Sequence, residues 1–332
     1  MKKKLAILGA GRIGQVHAKA IAGNETAELA AVFDPLHEAA LAVTERFGGK
    51  IADIDTIVND ATIDAVILCT PTDMHADQIE LFAQNGKAIF CEKPIDLDAA
   101  RVRACLTIVQ QTNATLMVGF NRRYDAHFMA LKAAIANGQI GRPEMGVITS
   151  RDPAAPPAEY IRRSGGIFRD MMIHDIDMAV FLMGDLPESV MATGGVLTDP
   201  EIAQLDDYDS ATAILKWADG RQVSISNSRR AVYGYDQRIE IHGSEGMVQA
   251  NNERPVNIET ATVQGYQRAP LHDFFMTRYV GAYANEIDAF IHAISNGDTT
   301  IPSGRDGLNA LLIADGALES AKTGKAVPLI FD

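Results

Sequence analysis

The fold is decided by the stretch Leu5-Ala6-Ile7-Leu8-Gly9-Ala10-Gly11-Arg12-Ile13-Gly14. An apolar run typical of a buried strand ends at Gly9, and a helical repeat begins at Arg12. A G-x-G-x-x-G turn between a strand and a helix is typical of dinucleotide binding. Its glycines permit the tight turn, let the backbone approach a pyrophosphate, and let the helix pack closely on the sheet. We therefore predict a cofactor site that contains Gly9, Gly11, Arg12, Ile13 and Gly14.

Asp34 ends the second apolar run, about 20 residues after the last glycine of the turn. A carboxylate at this position can bind the adenosine ribose hydroxyls, and it would repel the 2′-phosphate of NADP. An Asp-Pro pair is also a common turn, so a purely local role is the alternative. No arginine follows at once, and we therefore predict NAD rather than NADP as the cofactor.

The composition is that of an ordinary globular protein, with 47% hydrophobic and 22% charged residues. A chain of 332 residues is long enough for two domains, because single cores stop growing at about 250–300 residues. The formal net charge of -13 argues against a general nucleic-acid or membrane-surface binder, since both need a positive field. We therefore expect a small-molecule substrate, with neither nucleic acid nor membrane as a partner.

The cysteines Cys69, Cys91 and Cys105 show neither a disulfide framework nor the spacing of a zinc site. Free thiols are their expected state, in a reducing compartment. The apolar run after Lys4 is too short for an export signal, and no stretch approaches the length of a transmembrane helix. We therefore predict a cytoplasmic protein.

The pattern of predicted secondary structure changes near residue 121. Before it, short apolar runs alternate with helical patterns, which predicts a parallel α/β sheet. The predicted strands are Leu5–Leu8, Leu29–Phe33, Ala65–Cys69, Ala88–Cys91 and Leu116–Phe120. The predicted helices between them are Arg12–Ala22, Leu36–Phe47, Ala76–Gln84 and Leu97–Gln111. The later half carries hairpin signals, which pair Ala211–Trp217 with Arg221–Ser228 and Arg238–His242 with Met247–Ala250. The fold class is thus α/β plus α+β, with domains at residues 1–121 and 122–332.

Two further segments carry residues suited to proton chemistry. Apolar residues at three- and four-residue steps predict an amphipathic helix over residues 173–183 that extends back to Asp170. Asp170, His174 and Asp177 would then share one side, where a carboxylate can hold an imidazole that accepts a proton. Lys93 follows a predicted strand, at the edge where such sheets bind ligands. The alternatives are a helix-dipole contact for Asp170 and a surface role for Lys93.

Four short motifs occur one after another along the chain. They are Gly9-x-Gly11-x-x-Gly14, Cys69-Thr70-Pro71-Thr72-x-x-His75, Glu92-Lys93-Pro94 and Asp170-x-x-x-His174. In this order and spacing the chain resembles the Gfo/Idh/MocA oxidoreductase family along essentially its whole length. The stretches Gly119–Asp125, Ser164–Asp170 and Tyr233–Asp236 resemble in particular the inositol 2-dehydrogenases of that family.

The resemblance implies a Rossmann domain followed by an α+β domain with an open-faced, largely antiparallel sheet that pairs subunits into dimers or tetramers. The implied reaction is NAD-dependent oxidation of a ring secondary alcohol, with myo-inositol to scyllo-inosose as the leading case. Lys93 would contact the reacting hydroxyl, His174 would be the base, and Asp170 would orient both. Thr70, Pro71 and His75 are implied to line the nicotinamide, with Glu92 nearby, and Lys93 is implied in the cofactor site as well. The residues implied to face the polyol are Arg123, Asp152, Tyr235 and Tyr283.

Alternatives to this interpretation stay open. Asp152 stands where some similar dehydrogenases carry asparagine, so another inositol isomer or a pyranose could be preferred. A non-catalytic NAD-binding sensor is a further alternative, although such a protein would not need Lys93, Asp170 and His174. The arginines Arg162, Arg163 and Arg169 could bind an acidic sugar or be solvated. We predict no metal site from His174, Asp175, Asp177, His242 and His272, because their spacing is not that of metal ligands.

Overall fold

A computed structural model describes residues 2–331 of the chain. Its contacts divide the chain into two compact units. The first contains the residues up to Tyr124 together with Val280–Leu311, and the second contains Asp125–Tyr279 and the residues from Leu312 onward. The predicted domains, residues 1–121 and 122–332, include the terminal residues Met1 and Asp332, which lie outside the described residues.

The secondary structure alternates in the first part and is rich in strands in the middle of the chain. The strands are β1 (Lys3–Leu8), β2 (Ala27–Phe33), β3 (Lys50–Ile51), β4 (Ala65–Leu68), β5 (Ala88–Glu92), β6 (Leu116–Gly119), β7 (Pro143–Arg151), β8 (Ser189–Gly195), β9 (Ser210–Lys216), β10 (Gln222–Ser228), β11 (Asp236–Gly243), β12 (Gly246–Ala250), β13 (Glu259–Thr262), β14 (Gly265–Arg268) and β15 (Val327–Pro328). The α-helices are α1 (Arg12–Ala22), α2 (His37–Phe47), α3 (Ile54–Asn59), α4 (His75–Gln84), α5 (Ala99–Thr112), α6 (Ala126–Ala136), α7 (Ala158–Ser164), α8 (Ile173–Met183), α9 (Phe275–Arg278), α10 (Val280–Asn296) and α11 (Gly304–Thr323).

The first unit is built on a parallel sheet in the order β3-β2-β1-β4-β5-β6. All four residues of β4 are buried, as expected of a strand that is covered on both faces. This topology confirms the predicted Rossmann architecture. The carboxyl ends of β1, β4 and β5 lie side by side, so the loops that follow them share one edge.

The helix α10 belongs to the first unit although it is far away in sequence. Its residues Ile287, Phe290 and Ile291 are buried in the same apolar cluster as Leu5 and Ile7 of β1. The contact division therefore differs from the predicted domain scheme, which assigned all residues after 121 to the second domain. The reason is the apolar face of α10, which is removed from water by packing on the first sheet.

The second unit is built on a seven-stranded sheet in the order β12-β11-β7-β10-β9-β8-β15. The pair β7–β10 is parallel, and the other neighbouring pairs of this sheet are antiparallel. Both predicted hairpins are present, as β9–β10 and β11–β12. These features confirm the prediction of a largely antiparallel sheet. The helix α8 contacts β7 and β10.

The segment before α8 differs from the prediction of one amphipathic helix. Residues Ile167–Met172 form a π-helical turn, and the α-helix begins only at Ile173. The prediction of a single buried face was also wrong, because Asp175 and Asp177 are buried together with Ile173 and Ile176. A π turn has a wider hydrogen-bond spacing than an α-helix, so Asp170 and His174 do not stand one regular α-helical turn apart.

Within residues 2–331, none of the helices combines the length and the apolar character needed to cross a membrane.

A buried ion pair closes the main segment of the second unit. Asp125 accepts hydrogen bonds from Arg278 Nη1 at 2.6 Å and Nη2 at 3.2 Å. The same carboxylate caps α6 by accepting from the backbone N–H groups of His127 and Phe128. Both side chains of the pair are nearly inaccessible, with exposed fractions of 3% for Arg278 and 5% for Asp125.

We predict that Asp125→Ala lowers the free energy of unfolding by about 3–5 kcal/mol, because it leaves a buried guanidinium without its main partner. The control is Glu188→Ala, which removes the exposed Lys216–Glu188 pair and should cost no more than about 1 kcal/mol. Urea unfolding followed by circular dichroism measures both values. Equal losses in the two variants would contradict the role given to the buried pair.

Candidate active site

The glycine turn after β1 is shaped by close approaches of backbone to backbone. A Cβ atom on Gly9, where φ is +95°, would lie 2.5 Å from the carbonyl oxygen of Cys69. A Cβ atom on Gly14 would lie 2.0 Å from the carbonyl oxygen of Gly9. At Gly11, by contrast, an added Cβ meets nothing within 4 Å. Two of the three glycines are therefore required by packing, and the third faces open space.

This open space fits a pyrophosphate. Gly11 is the N-cap of α1 and has no side chain, so the first-turn N–H groups of Arg12 and Ile13 are not covered by a capping side chain. A helix N-terminus of this kind attracts a phosphate by its N–H groups and by the helix dipole. The residues present thus fit the dinucleotide that the sequence predicts.

Asp34 follows β2 and holds the glycine turn in place. Its Oδ2 accepts a hydrogen bond from the backbone N–H of Ala10 at 2.7 Å. Its Oδ1 accepts from the backbone N–H of Leu36 at 2.8 Å, which is the local turn contact considered as the alternative. A carboxylate oxygen has two lone pairs, so these contacts leave acceptor capacity for a ribose. The ribose role itself stays a prediction.

His75 ties together the two loops that carry the remaining cofactor candidates. Its Nε2 lies 2.7 Å from the carbonyl oxygen of Thr70, and its Nδ1 lies 2.8 Å from the carbonyl oxygen of Pro94. Burial lowers the pKa of His75, and the two carbonyl contacts oppose this shift. With an exposed fraction of 2%, the imidazole acts as a link that holds Thr70 and Pro71 at a fixed distance from the turn containing Lys93.

Glu92, the residue before Lys93, is held from behind by His17. The Nε2 of His17 lies 2.6 Å from Glu92 Oε1. His17 is on the buried face of α1, where the rings of Phe90 and Tyr283 pack edge-on against it at 4.9 and 5.6 Å between centroids. Sequence reasoning missed His17, although a polar residue at an apolar-face position, three residues after Gly14, was a usable signal.

Glu286 was missed in the same way, because it occupies a buried position of α10 next to Ile287. Its carboxylate lies near both His17 and Glu92, with one ligand atom from each of the three side chains within 4.8 Å of the others. Among the described residues this is the one group of histidine, cysteine and carboxylate side chains close enough to hold a metal ion. It shares no member with the residues considered for a metal from the sequence.

Of the predicted polyol-facing residues, Arg123 and Tyr283 belong to the first unit. Arg123 Nη2 donates to Asp306 Oδ1 at 2.8 Å, and its guanidinium lies 5.8 Å from the centre of the Phe120 ring. Asp306 neutralises this guanidinium and limits its freedom to rotate. Tyr283 is 7% exposed, and its ring contacts His17 as described above.

The second unit carries the other candidates, namely Asp152, Asp170, His174 and Tyr235. Asp170 lies in the π-helical turn and accepts a hydrogen bond from the hydroxyl of Tyr160 at 2.9 Å. Tyr235 is 6% exposed, and its ring packs edge-on against Phe274 and Tyr279. Tyr160 was not predicted, because it is ten residues from its partner and belongs to a different helix.

Asp175 anchors the helix that presents His174. Its Oδ1 accepts from the hydroxyl of Ser150 on β7 at 2.5 Å, and its Oδ2 accepts from the amide of Asn227 on β10 at 2.8 Å. A buried carboxylate that accepts hydrogen bonds from two strands fixes the start of α8 against the sheet. His174 is the residue before Asp175 and therefore lies in the anchored first turn of α8.

The arginines near the π turn have different surroundings. Arg169 Nε donates to Asp315 Oδ1 at 2.5 Å, so this guanidinium is paired within the protein. Arg162 and Arg163 are exposed in the last turn of α7. Their exposure does not fit the buried anion site that was considered for them.

Comparison with known proteins shows the family to which the chain belongs. A model described as the oxidoreductase family with an NAD-binding Rossmann fold matches residues 3–120. A second model, described as the C-terminal alpha/beta domain of the same oxidoreductase family, matches residues 132–329. The chain belongs to the Gfo/Idh/MocA oxidoreductase family. It is therefore an NAD-dependent dehydrogenase, as predicted.

Relatives within the Gfo/Idh/MocA family match over full length. The inositol 2-dehydrogenase of Rhizobium meliloti is 60% identical over 329 residues, which are 99% of this chain and 100% of the relative. The crystal structure of a myo-inositol dehydrogenase from Corynebacterium glutamicum has a TM-score of 0.95 at 42% identity, with 100% of both chains covered. A scyllo-inositol dehydrogenase from Lactobacillus casei, crystallised with NAD(H) and scyllo-inositol, has a TM-score of 0.92 at 29% identity and covers 99% of both chains.

We predict that Gly11→Ala folds normally but weakens NAD⁺ binding by about tenfold or more, because the methyl group fills space that the backbone leaves for phosphate. Gly14→Ala should instead destabilise the fold by about 1–3 kcal/mol or more, since its methyl group would overlap a carbonyl oxygen. Thermal unfolding and fluorescence titration of NADH measure the two effects separately. A wild-type affinity for NADH in Gly11→Ala would remove this glycine from the cofactor site.

Proposed function

We propose that this dehydrogenase oxidises inositol, and that its reaction is the conversion of myo-inositol to scyllo-inosose with NAD⁺. The observation that carries the proposal is the agreement along the whole chain with an inositol 2-dehydrogenase. The arrangement of the first unit supports it, because the glycine turn and Lys93 lie on one edge of the parallel sheet. The two similar solved structures are dehydrogenases of cyclic polyols as well.

Oxidation of a secondary alcohol needs a hydride acceptor, a proton acceptor and a positive charge at one carbon. NAD⁺, when bound, supplies the hydride acceptor. We propose that His174 takes the hydroxyl proton while the C–H electron pair leaves with the hydride, so that the carbon becomes a ketone. The ammonium of Lys93 stabilises the negative charge that develops on the oxygen. Asp170, oriented by Tyr160, holds the substrate and the imidazole.

The polyol is proposed to contact Arg123, Asp152, Tyr235 and Tyr283. Arg123 is suited to this because Asp306 fixes the direction of its guanidinium. Thr70, Pro71 and His75 are proposed to line the nicotinamide, with Glu92 nearby, and the contacts of His75 support a rigid wall there. Asp152 is the residue that we expect to tune the choice among inositol isomers, since it differs from the asparagine of some similar enzymes.

Subunit pairing is proposed to occur through the open face of the second sheet. Strand registers place Met145, Val147, Met191, Ile214 and Met247 on one face, and each of these side chains is exposed by 43% or more. Ser224 and His242 lie between these residues in the register. Several large exposed apolar side chains on one sheet face are nevertheless typical of a protein interface. A two-fold related copy would cover it with the same surface and give a dimer, or a tetramer if a second interface forms.

A cytoplasmic location is proposed for the enzyme. The thiols of Cys91 and Cys105 are buried and unbonded, and Cys69 is also free. Free, buried cysteines are typical of a reducing compartment. NAD-dependent catabolism of a polyol would take place in the same compartment as the cofactor pool.

The test of the proposed reaction is the initial rate of NADH formation with myo-, scyllo- and chiro-inositol, glucose and galactose, each with NAD⁺ and NADP⁺. We expect myo-inositol with NAD⁺ to give the highest kcat/KM, because Asp34 repels the phosphate of NADP⁺. A higher kcat/KM for another cyclic polyol would contradict the assignment of myo-inositol as the substrate, while the proposed type of reaction would still hold. Absence of turnover with every polyol, in protein that binds NADH, would overturn the proposed function.

We predict that Lys93→Ala and His174→Ala each lower kcat by a factor of about 10²–10⁴, since each removes a group needed at the reacting carbon. NADH affinity should change little, because neither side chain is needed to bind the pyrophosphate. Lys50→Ala and His292→Ala, at exposed positions, serve as matched controls. A comparable loss of NADH binding in Lys93→Ala or His174→Ala would contradict the assigned roles.

A further inference from the structure

The first unit contains a buried group of two acids and a histidine that the proposed reaction does not use directly. His17 comes from α1, Glu92 from the end of β5, and Glu286 from α10. His17 and Glu286 have an exposed fraction of 0%. Within residues 2–331, neither oxygen of Glu286 has a hydrogen-bond partner, although the carboxylate lies within 4.8 Å of the other two side chains. A buried carboxyl group of this kind requires either a proton or a cation.

The distances favour a proton over a metal ion. His17 Nε2 and Glu92 Oε1 are 2.6 Å apart, which is the distance of a direct hydrogen bond between the two side chains. Two ligands of one tetrahedral zinc ion, each about 2.0–2.1 Å from the metal, stand about 3.3 Å apart. The nitrogen that faces Glu92 is thus already engaged with it.

The surroundings of Glu286 disfavour a negative charge. Burial raises the pKa of Glu286 well above its ordinary value, and the charge of Glu92 raises it further. The other titratable groups near it are His17 on α1, the thiol of Cys69 after β4, and Tyr283 on its own helix. The turn Asn121–Tyr124 also contacts α10 and carries Arg122 and Arg123, of which Arg123 binds Asp306.

We propose that Glu286 is a positioning residue: as a neutral carboxylic acid it donates a hydrogen bond toward Glu92 and, with His17, fixes the turn that carries Lys93. Glu92 then interacts directly with His17 on α1, and through a bridging water with the carboxylic acid of Glu286 on α10. A single bridging water spans a separation of this size with two hydrogen bonds. The inference rests on the proposed function only in the step from Glu92 to Lys93.

Two further contacts support the connection to Lys93. A Cβ atom added to Gly119 would lie 3.2 Å from the Cδ and Oε2 atoms of Glu92, so the glycine of β6 lets the carboxylate lie close to the strand backbone, where a side chain would displace it. Beyond Lys93, the carbonyl oxygen of Pro94 is held by His75. The residues before and after Lys93 are thus both fixed by buried side chains, and Lys93 projects from a rigid turn.

The protonation state is tested without turnover, by thermal unfolding of the wild type and Glu286→Gln between about pH 5 and about pH 8. The folded pKa of Glu286 is above the unfolded value. The folded wild type therefore holds one more proton than the unfolded chain between the two pKa values, and its stability falls as pH rises there. Glutamine does not titrate, so the Tm of Glu286→Gln minus that of the wild type should increase with pH. A constant or decreasing difference would overturn the neutral acid.

The positioning role is tested by kcat with inositol and by NADH affinity. Glu286→Gln keeps a buried N–H donor and should retain kcat within about threefold, whereas Glu286→Leu removes the donor and should lower kcat by about tenfold or more. NADH affinity should be unchanged in both. Asp288→Asn, an exposed acid on the same helix, is the control. If Glu286→Leu does not fold, Gly119→Ala can be used instead, because its methyl group would displace the carboxylate of Glu92. It should also lower kcat and leave the NADH affinity unchanged.

The outcomes separate the two proposals. A wild type that oxidises no polyol overturns the proposed function, while the pH dependence of Tm still decides the state of Glu286. Equal kcat values in Glu286→Gln, Glu286→Leu and the wild type would overturn the positioning role. If the purified wild type contained one equivalent of a divalent metal that is lost in Glu286→Gln, Glu286 would be a metal ligand, and the proposal of a neutral carboxylic acid would be wrong.

Discussion

The contact of backbone with backbone at the glycine turn is the constraint on which the rest of the first unit depends. Gly9 lies against the carbonyl of Cys69, and Gly14 lies against the carbonyl of Gly9. The first contact fixes where β1 ends relative to β4, and so places the Thr70 loop beside the cofactor turn. The second draws α1 onto the sheet and brings His17 within hydrogen-bond distance of Glu92. The glycine motif that predicts phosphate binding therefore also positions the buried His17–Glu92 contact next to Lys93.

Local patterns predicted the parts of the fold that depend on local physics. The bounds of α1, the parallel first sheet and both hairpins of the second sheet agree with the structure, because apolar periodicity and turn residues determine them. The placement of α10 with the first unit had no local signal, since Leu5 and Ile7 of β1, with which it shares an apolar cluster, are more than 200 residues away in sequence. The π turn Ile167–Met172 was missed because its composition is that of an ordinary helix.

The candidate site was predicted as a set of residue types, and the structure adds the partners that constrain them. Asp34, His75 and Arg123 each make contacts that the sequence did not reveal, with Ala10, with Thr70 and Pro94, and with Asp306. Asp175, considered from the sequence among metal ligands, instead bonds to Ser150 and Asn227. All but the Thr70 contact join residues 19 or more positions apart, which is beyond the reach of helical or strand periodicity.

The Asp125–Arg278 pair has a consequence for the modular character of the chain. These residues lie at the two ends of the continuous segment Asp125–Tyr279, which interrupts the first unit between Tyr124 and Val280. An inserted segment is tolerated when its ends are close together. The ion pair joins these ends as a disulfide bond would, but unlike a disulfide bond it does not need an oxidising environment. The two ends of this segment are therefore held together by side chains of the segment itself.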